Sequence, residues 1–272
     1  MIRLKSSIRY AAIAILLLFS LLLPQPDFAI AAPISSDRVA EITKQWEQSA
    51  HALANVNCSS CHQDKKTKTL VVRPDRESCQ SCHQQQVDTF LLGKHGIRTL
   101  EGLSPLTPAM AKLPMKNSAF DRTLGCNSCH NVHQTNTFVA STDSCLQCHN
   151  DTHSLNYRNS KHGRLFAASV RLPRPSPDLV SCATCHLPRQ VHEETKTVFV
   201  NHNNTYNLLP RDRMVKQVCM NCHGLEYSYN SIFDDELIEG NFHRPPQHYM
   251  ETLKLVQARA EQRATSKVST TE

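Results

Sequence analysis

Apolar positions crowd one end of the chain and are scattered thereafter. Ala11 to Leu23 is an apolar run broken only by Ser20, behind the cations Arg3, Lys5 and Arg9. Pro24, Pro26 and Asp27 follow, then Ala29-Ile30-Ala31. A basic start, a short apolar segment and an A-x-A site predict a secretory signal peptide over residues 1–31, cleaved near Ala31. The run is shorter than the ~18 residues a membrane span needs, so an uncleaved anchor is the weaker reading. No later segment is long and apolar enough to cross a bilayer.

Past residue 31 the patterning is short-ranged. Alternation is confined to Thr197-Val198-Phe199-Val200, the best strand candidate. Asp234 to Ile238 and Tyr249 to Arg263 predict helix. The second carries Met250, Leu253, Leu255, Val256 and Ala258 as an apolar stripe, read as packing on its own domain in preference to a subunit interface. Leu100 to Phe120, with Pro105, Pro108 and Pro114, is too apolar for disorder and predicts an ordered loop. Leu172-Pro173-Arg174-Pro175-Ser176-Pro177 predicts an extended connection. The expected class is mainly α, with short helices and much irregular loop. The expected organisation is 1–31 signal peptide, 32–245 one domain, and 246–272 a C-terminal helix with a polar tail.

Composition changes the picture at two residue types. The chain of 272 residues holds 12 Cys and 15 His. So many Cys point to disulfides or to metal chemistry, and the His excess argues against disulfides alone. The formal charge is +6, with no Lys/Arg block of five, so a nucleic-acid partner is not expected.

All twelve Cys fall into one pattern, Cys-x-x-Cys-His. The copies are Cys58/Cys61/His62, Cys79/Cys82/His83, Cys126/Cys129/His130, Cys145/Cys148/His149, Cys182/Cys185/His186 and Cys219/Cys222/His223. This is the attachment sequence for c-type haem. Two thiols three positions apart lie on one helical turn and can each add to a vinyl group, and the adjacent His is carried under the iron. A zinc reading does not require His after every second Cys, and a disulfide framework does not require uniform spacing. The sequence therefore predicts six covalent haems c. About 240 residues remain after residue 31, about 40 for each pentad, too few for a conventional core. The helices are expected to wrap a stacked array of porphyrins, a multihaem cytochrome c fold.

Removal of residues 1–31 leaves 27 cations against 23 anions. Two propionates per haem would carry the +4 polypeptide towards about −8.

Nine histidines lie outside the pentads: His51, His95, His133, His153, His162, His192, His202, His243 and His248. Six bis-His irons need six of them. His133 and His153 follow their own proximal His by three and four positions, so each is expected to serve a neighbouring haem. His95 and His162 share the context Lys-His-Gly, about a dozen residues after a pentad. These four are the strongest distal candidates; His51, His192 and His202 complete the set. His243 and His248 lie beyond the last pentad. Met110 and Met115 are better read as packing residues than as soft ligands. The pentads start at 58, 79, 126, 145, 182 and 219. The short intervals predict close pairs at 58/79 and 126/145.

The run Cys126 to Gly163, with Asn131-Val132-His133, His153, Tyr157 and Ser160-Lys161-His162-Gly163, resembles the hydroxylamine oxidoreductase-like superfamily of multihaem cytochromes c. Ser181 to His186 and Arg213 to His223 extend the resemblance over most of residues 55–245. It implies a periplasmic, largely helical protein that either relays electrons or acts on hydroxylamine, nitrite or tetrathionate. The chain departs from the enzymes of that group. It has six pentads where they usually have eight, no Tyr just ahead of Asn241, Thr152 where an Asp would precede His153, and no Cys-x-x-Cys-Lys.

Two functions compete. The favoured one is an exported electron carrier whose partners are redox proteins, a membrane quinol-oxidising cytochrome or a terminal reductase; an oligomer is compatible with this. The other is an oxidoreductase acting at one open haem, placed at Cys126/Cys129/His130, with His153 as catalytic proton carrier.

Overall fold

The computed structural model describes residues 34–172, 176, 179–247, 255, 258 and 259. The predicted signal peptide lies outside the described residues. So does most of the predicted C-terminal helix, of which Leu255, Ala258 and Arg259 are described and helical. The chain divides into two units, one ending at Glu41 and one beginning at Ile42. The second contains every pentad.

Short helices and loops make up the fold, as the scattered patterning predicts. The longest described helix, Arg76–Leu92, breaks its own geometry at His83, where φ is −111° and ψ is 39°. Most others run for one or two turns, and several are started by a side-chain cap. Asp151 accepts from the Ser154 amide, Ser160 from Gly163 and Asp234 from Leu237. Such caps satisfy the first free amides of a helix. Helices this short gain little from propensity and depend on what they pack against.

The described sheet is one antiparallel hairpin, β1 (Arg189–Val191) with β2 (Val198–Val200), Gln190 opposite Phe199. The strand predicted at 197–200 is β2; β1 was too short to show an alternation. Asp235–Glu239 matches the helix expected over 234–238.

Side-chain packing is concentrated near the C-terminal end of the second unit. Met214, Val215 and Ile232 form a buried cluster bordered by Cys185, Leu208, Val218, Cys219, Ile238 and Phe242. Leu237 is fully buried. Elsewhere large apolar side chains stand exposed, among them Leu53, Leu70 and Val198. The Pro-rich segment after Leu100 is an ordered loop, as expected. It lies on the fourth pentad, with Lys116 N donating to Cys148 O at 2.8 Å and Asn150 N to Pro114 O at 3.1 Å. No helix among the described residues is long and apolar enough to cross a membrane.

Candidate haem-binding sites

Each pentad is placed by a helical turn. Cys58–His62, Cys126–Cys129 and Cys182–His186 are single α-turns. The second pentad lies at the start of Arg76–Leu92, the fourth begins in Asp143–Leu146 and the sixth in a 3-10 turn, Cys219–Asn221. The caps are encoded beside the cysteines. Asn57 Oδ1 accepts from Ser60 N at 3.1 Å. Ser181 and Thr184 exchange reciprocal bonds, a capping box. An α-turn so fixed presents both thiols to one side and the histidine at its end. All twelve thiols are free of disulfides.

At the sixth pentad Cys222 stands just past the 3-10 turn, at φ −132° and ψ −26°, and is exposed. Val218 both ends the helix Arg211–Gln217 and opens the 3-10 turn, and so tight a turn runs out after three residues. The pentad stays closed through Cys219 O, which accepts from Cys222 N at 3.2 Å and from His223 N at 2.9 Å.

Every pentad histidine faces one other histidine. The pairs are His62 with His133, His83 with His51, His130 with His202, His149 with His95, His186 with His153, and His223 with His162. The shortest centroid separation is 6.0 Å and the longest 6.4 Å. A metal–imidazole bond is about 2 Å, and a ring nitrogen lies about 1 Å from its ring centre. Two imidazoles trans on one ion therefore have centroids roughly 6 Å apart. Spacing and donor chemistry both fit an axially ligated haem iron at each pentad. Among the described residues no three His, Cys, Asp or Glu gather as an ion site.

Second partners orient several rings. Nδ1–H donates to a backbone carbonyl from His62 to Val71 (2.8 Å), from His51 to Val132 (3.1 Å), from His202 to Val200 (2.9 Å) and from His153 to Ile238. His149 instead faces the Asp151 carboxylate at 3.4 Å. With Nδ1 so engaged, Nε2 is the lone-pair nitrogen. Burial, helped by the neighbouring imidazole, pushes His95 and His186 down to about 4. Burial also lowers His83, His130, His162 and His202. Neutral imidazole is the form a metal takes.

The thiols of successive pentads neighbour one another in chain order. Cys61 is within electrostatic reach of Cys82, Cys129 of Cys148, and Cys185 of Cys219. Cys79 and Cys126 are hydrogen-bonded, as are Cys145 and Cys182. At every inner pentad one cysteine faces the preceding site and the other the following one. The two outermost cysteines of the series, Cys58 and Cys222, are both exposed. The short intervals that predicted close pairs at 58/79 and 126/145 join elements that touch, Cys58–His62 with Arg76–Leu92 and Cys126–Cys129 with Asp143–Leu146. Histidines act across the longer intervals too. His83 acts on both His130 and His202, and the His95/His149 pair acts on His186. The short interval before Cys79 holds a loop that turns back onto His62.

Six of the extra histidines named from sequence stand in these pairs: His51, His95, His133, His153, His162 and His202. His192 does not. Its Nδ1 accepts the Thr195 amide at 3.3 Å and its ring lies edge-on to Phe199, closing the β1–β2 turn. Here the imidazole does the work of a turn-forming side chain. His243 sits against Gly240, outside every pair, and His248 lies outside the described residues. Met110 is half exposed and Met115 meets the His149 backbone.

The Gly after His95 and after His162 was not recognised as functional from sequence. A Cβ on Gly96 would strike the Phe90 carbonyl, and one on Gly163 the Tyr157 carbonyl. Glycine lets each Lys-His-Gly segment close on the preceding turn and so places the histidine.

Residues 50–150 match the family model described as Cytochrome c3. The matched stretch holds the first four pentads and supports a multihaem c-type cytochrome with covalently bound haem c. No curated protein matches the chain.

Proposed function

We propose that the chain is an exported electron carrier holding six haems c, each ligated by two histidines, in one file from the first pentad to the sixth. One observation carries this reading: each pentad histidine faces a second histidine at the spacing two axial ligands require. The bound groups would supply reversible one-electron transfer. The protein supplies thiols for attachment, paired imidazoles that fill both axial positions, and carbonyls that hold those rings. Neighbouring thiols at every step favour transfer along the file, since close approach of successive centres is what electron hopping needs.

The same geometry favours a filled site over an open one at the third pentad. His130 faces His202, and His153 faces His186 with its Nδ1 held by the Ile238 carbonyl. These contacts support reading His153 as an axial-ligand candidate in preference to a proton carrier. Export rests on the leader sequence of residues 1–31, and its redox partners follow from electron carriage itself.

The test is carbon monoxide binding to the reduced holoprotein. Negligible binding is expected. Rapid binding at one iron per chain would overturn the relay and restore an enzyme with an open haem.

A further inference from the structure

Two surface loops share one backbone geometry and carry opposite charges. The first is Asp64-Lys65-Lys66-Thr67-Lys68-Thr69, the second His192-Glu193-Glu194-Thr195-Lys196-Thr197. In each the first residue's amide donates to the sixth residue's carbonyl (3.0 and 2.9 Å), and the fifth residue's amide returns to the first carbonyl (3.0 and 2.9 Å). In each the first side chain accepts the fourth amide, and the two Thr hydroxyls are bonded, at 2.8 and 2.7 Å. Lys68 and Lys196 both adopt positive φ, 60° and 56°. Asn131 to Thr135 makes the same turn, with Thr135 at φ 52° and its amide on Asn131 O. The turn is therefore generic, and what differs is the side chains it displays.

The lysine loop is fastened to the first site. Gln63 bridges Leu70, Val71 N donates to His62 O at 2.8 Å, and His62 Nδ1 donates to Val71 O at 2.8 Å. Lys65, Lys66, Lys68 and Arg73 are exposed around it. The acid of the loop, Asp64, is turned inward onto the Lys66 and Thr67 amides. Leu70 is 76 % exposed and Val72 54 %, and Cys58 of the pentad is exposed too. An apolar centre with a rim of one charge is the anatomy of a transient docking surface.

Resting on the relay reading, we infer that loop 64–73 is the docking surface through which an acidic redox protein exchanges electrons with the first site. Each encounter moves one electron from donor to acceptor; no bond forms or breaks. The glutamate loop of β1–β2 is the built-in control, with the same geometry and the opposite charge.

The experiment follows oxidation of the reduced holoprotein by ferricyanide in stopped flow, at low and high salt, with and without poly-L-glutamate as the acidic polypeptide. In the native protein, added salt slows the reaction and poly-L-glutamate inhibits it, although the holoprotein's net charge is negative. K65E/K66E/K68E is expected to lower the low-salt rate roughly tenfold and to abolish inhibition. E193K/E194K does not lower it. A triple variant that reacts like the native protein, or that loses haem because the lysines serve the propionates, would overturn the inference. Haem content by pyridine haemochrome separates the two failures. Six haems with an inert loop sink the docking surface alone, whereas a protein without haem sinks the relay.

Discussion

His62 and His133 hold their imidazoles almost parallel, 8° apart, whereas the other five pairs are tilted by between 48° and 56°. The relative orientation of axial rings sets how the iron d orbitals split, so the first site is expected to have its own low-spin ferric signal. His133→Ala should remove that signal and open one iron of six to carbon monoxide. Loss of a different signal would mean that His133 serves another site. Electron paramagnetic resonance of native and variant protein checks this.

Asp151 gives His149 the carboxylate partner that carbonyls give the other oriented rings. A carboxylate increases imidazole basicity and favours ferric iron. Asp151→Asn is expected to raise the potential of the fourth site by on the order of 1 kcal/mol, roughly 40 mV for one electron. A redox titration followed optically should show one shifted component among six. Asp151 also caps Thr152–Asn156 through Ser154; Asn keeps that acceptor.

Gly163 allows the chain at His162 to close on Tyr157. Gly163→Ala should cost about 1–3 kcal/mol by overpacking and loosen the His162–His223 pair. The thermal midpoint should fall, and a high-spin fraction should arise from the sixth site. Gly102, with nothing near its Cβ position but φ at 70°, tolerates no simple comparison. Gly224, which has open space and no such strain, is the control: Gly224→Ala should leave the spin state unchanged.

Asp234 caps Asp235–Glu239 and meets both Arg244 guanidinium nitrogens, at 2.8 and 3.1 Å. The Arg244 hydrogen bonds hold its carboxyl down to about 2. A depressed folded-state value stabilises above the unfolded value near 4 and is lost as pH falls towards 2. Asp234→Asn should therefore be less stable than the native protein at neutral pH, with the two converging near pH 2. Thermal melts across that range measure the convergence.

The pentads were legible because their pattern is local. Two thiols and an imidazole within five residues need little more than one turn of backbone, and sequence displays that stretch whole. What it does not display is the kind of turn. At the sixth pentad it is a 3-10 turn, Cys219–Asn221, following a helix that ends at Gln217. The distal histidines were legible as a supply but not as pairs. His130 meets His202 and His62 meets His133 only through the folded path of the chain. His192 occupies the place of Asp64 in the same turn, and only the shared Thr-Lys-Thr that follows each marks that place in the sequence. Helices were legible where an acid cap precedes an apolar residue, as at Asp234. They were not legible as single turns such as Thr137–Ser141, too short for a period to develop.

The central claim is that every iron has two histidines. Quantitative electron paramagnetic resonance of the oxidised holoprotein, integrated against total iron, tests it most directly. Six low-spin ferric irons per polypeptide with no high-spin component is the predicted result. A high-spin iron approaching one per chain, or an integrated total well short of six, would contradict it.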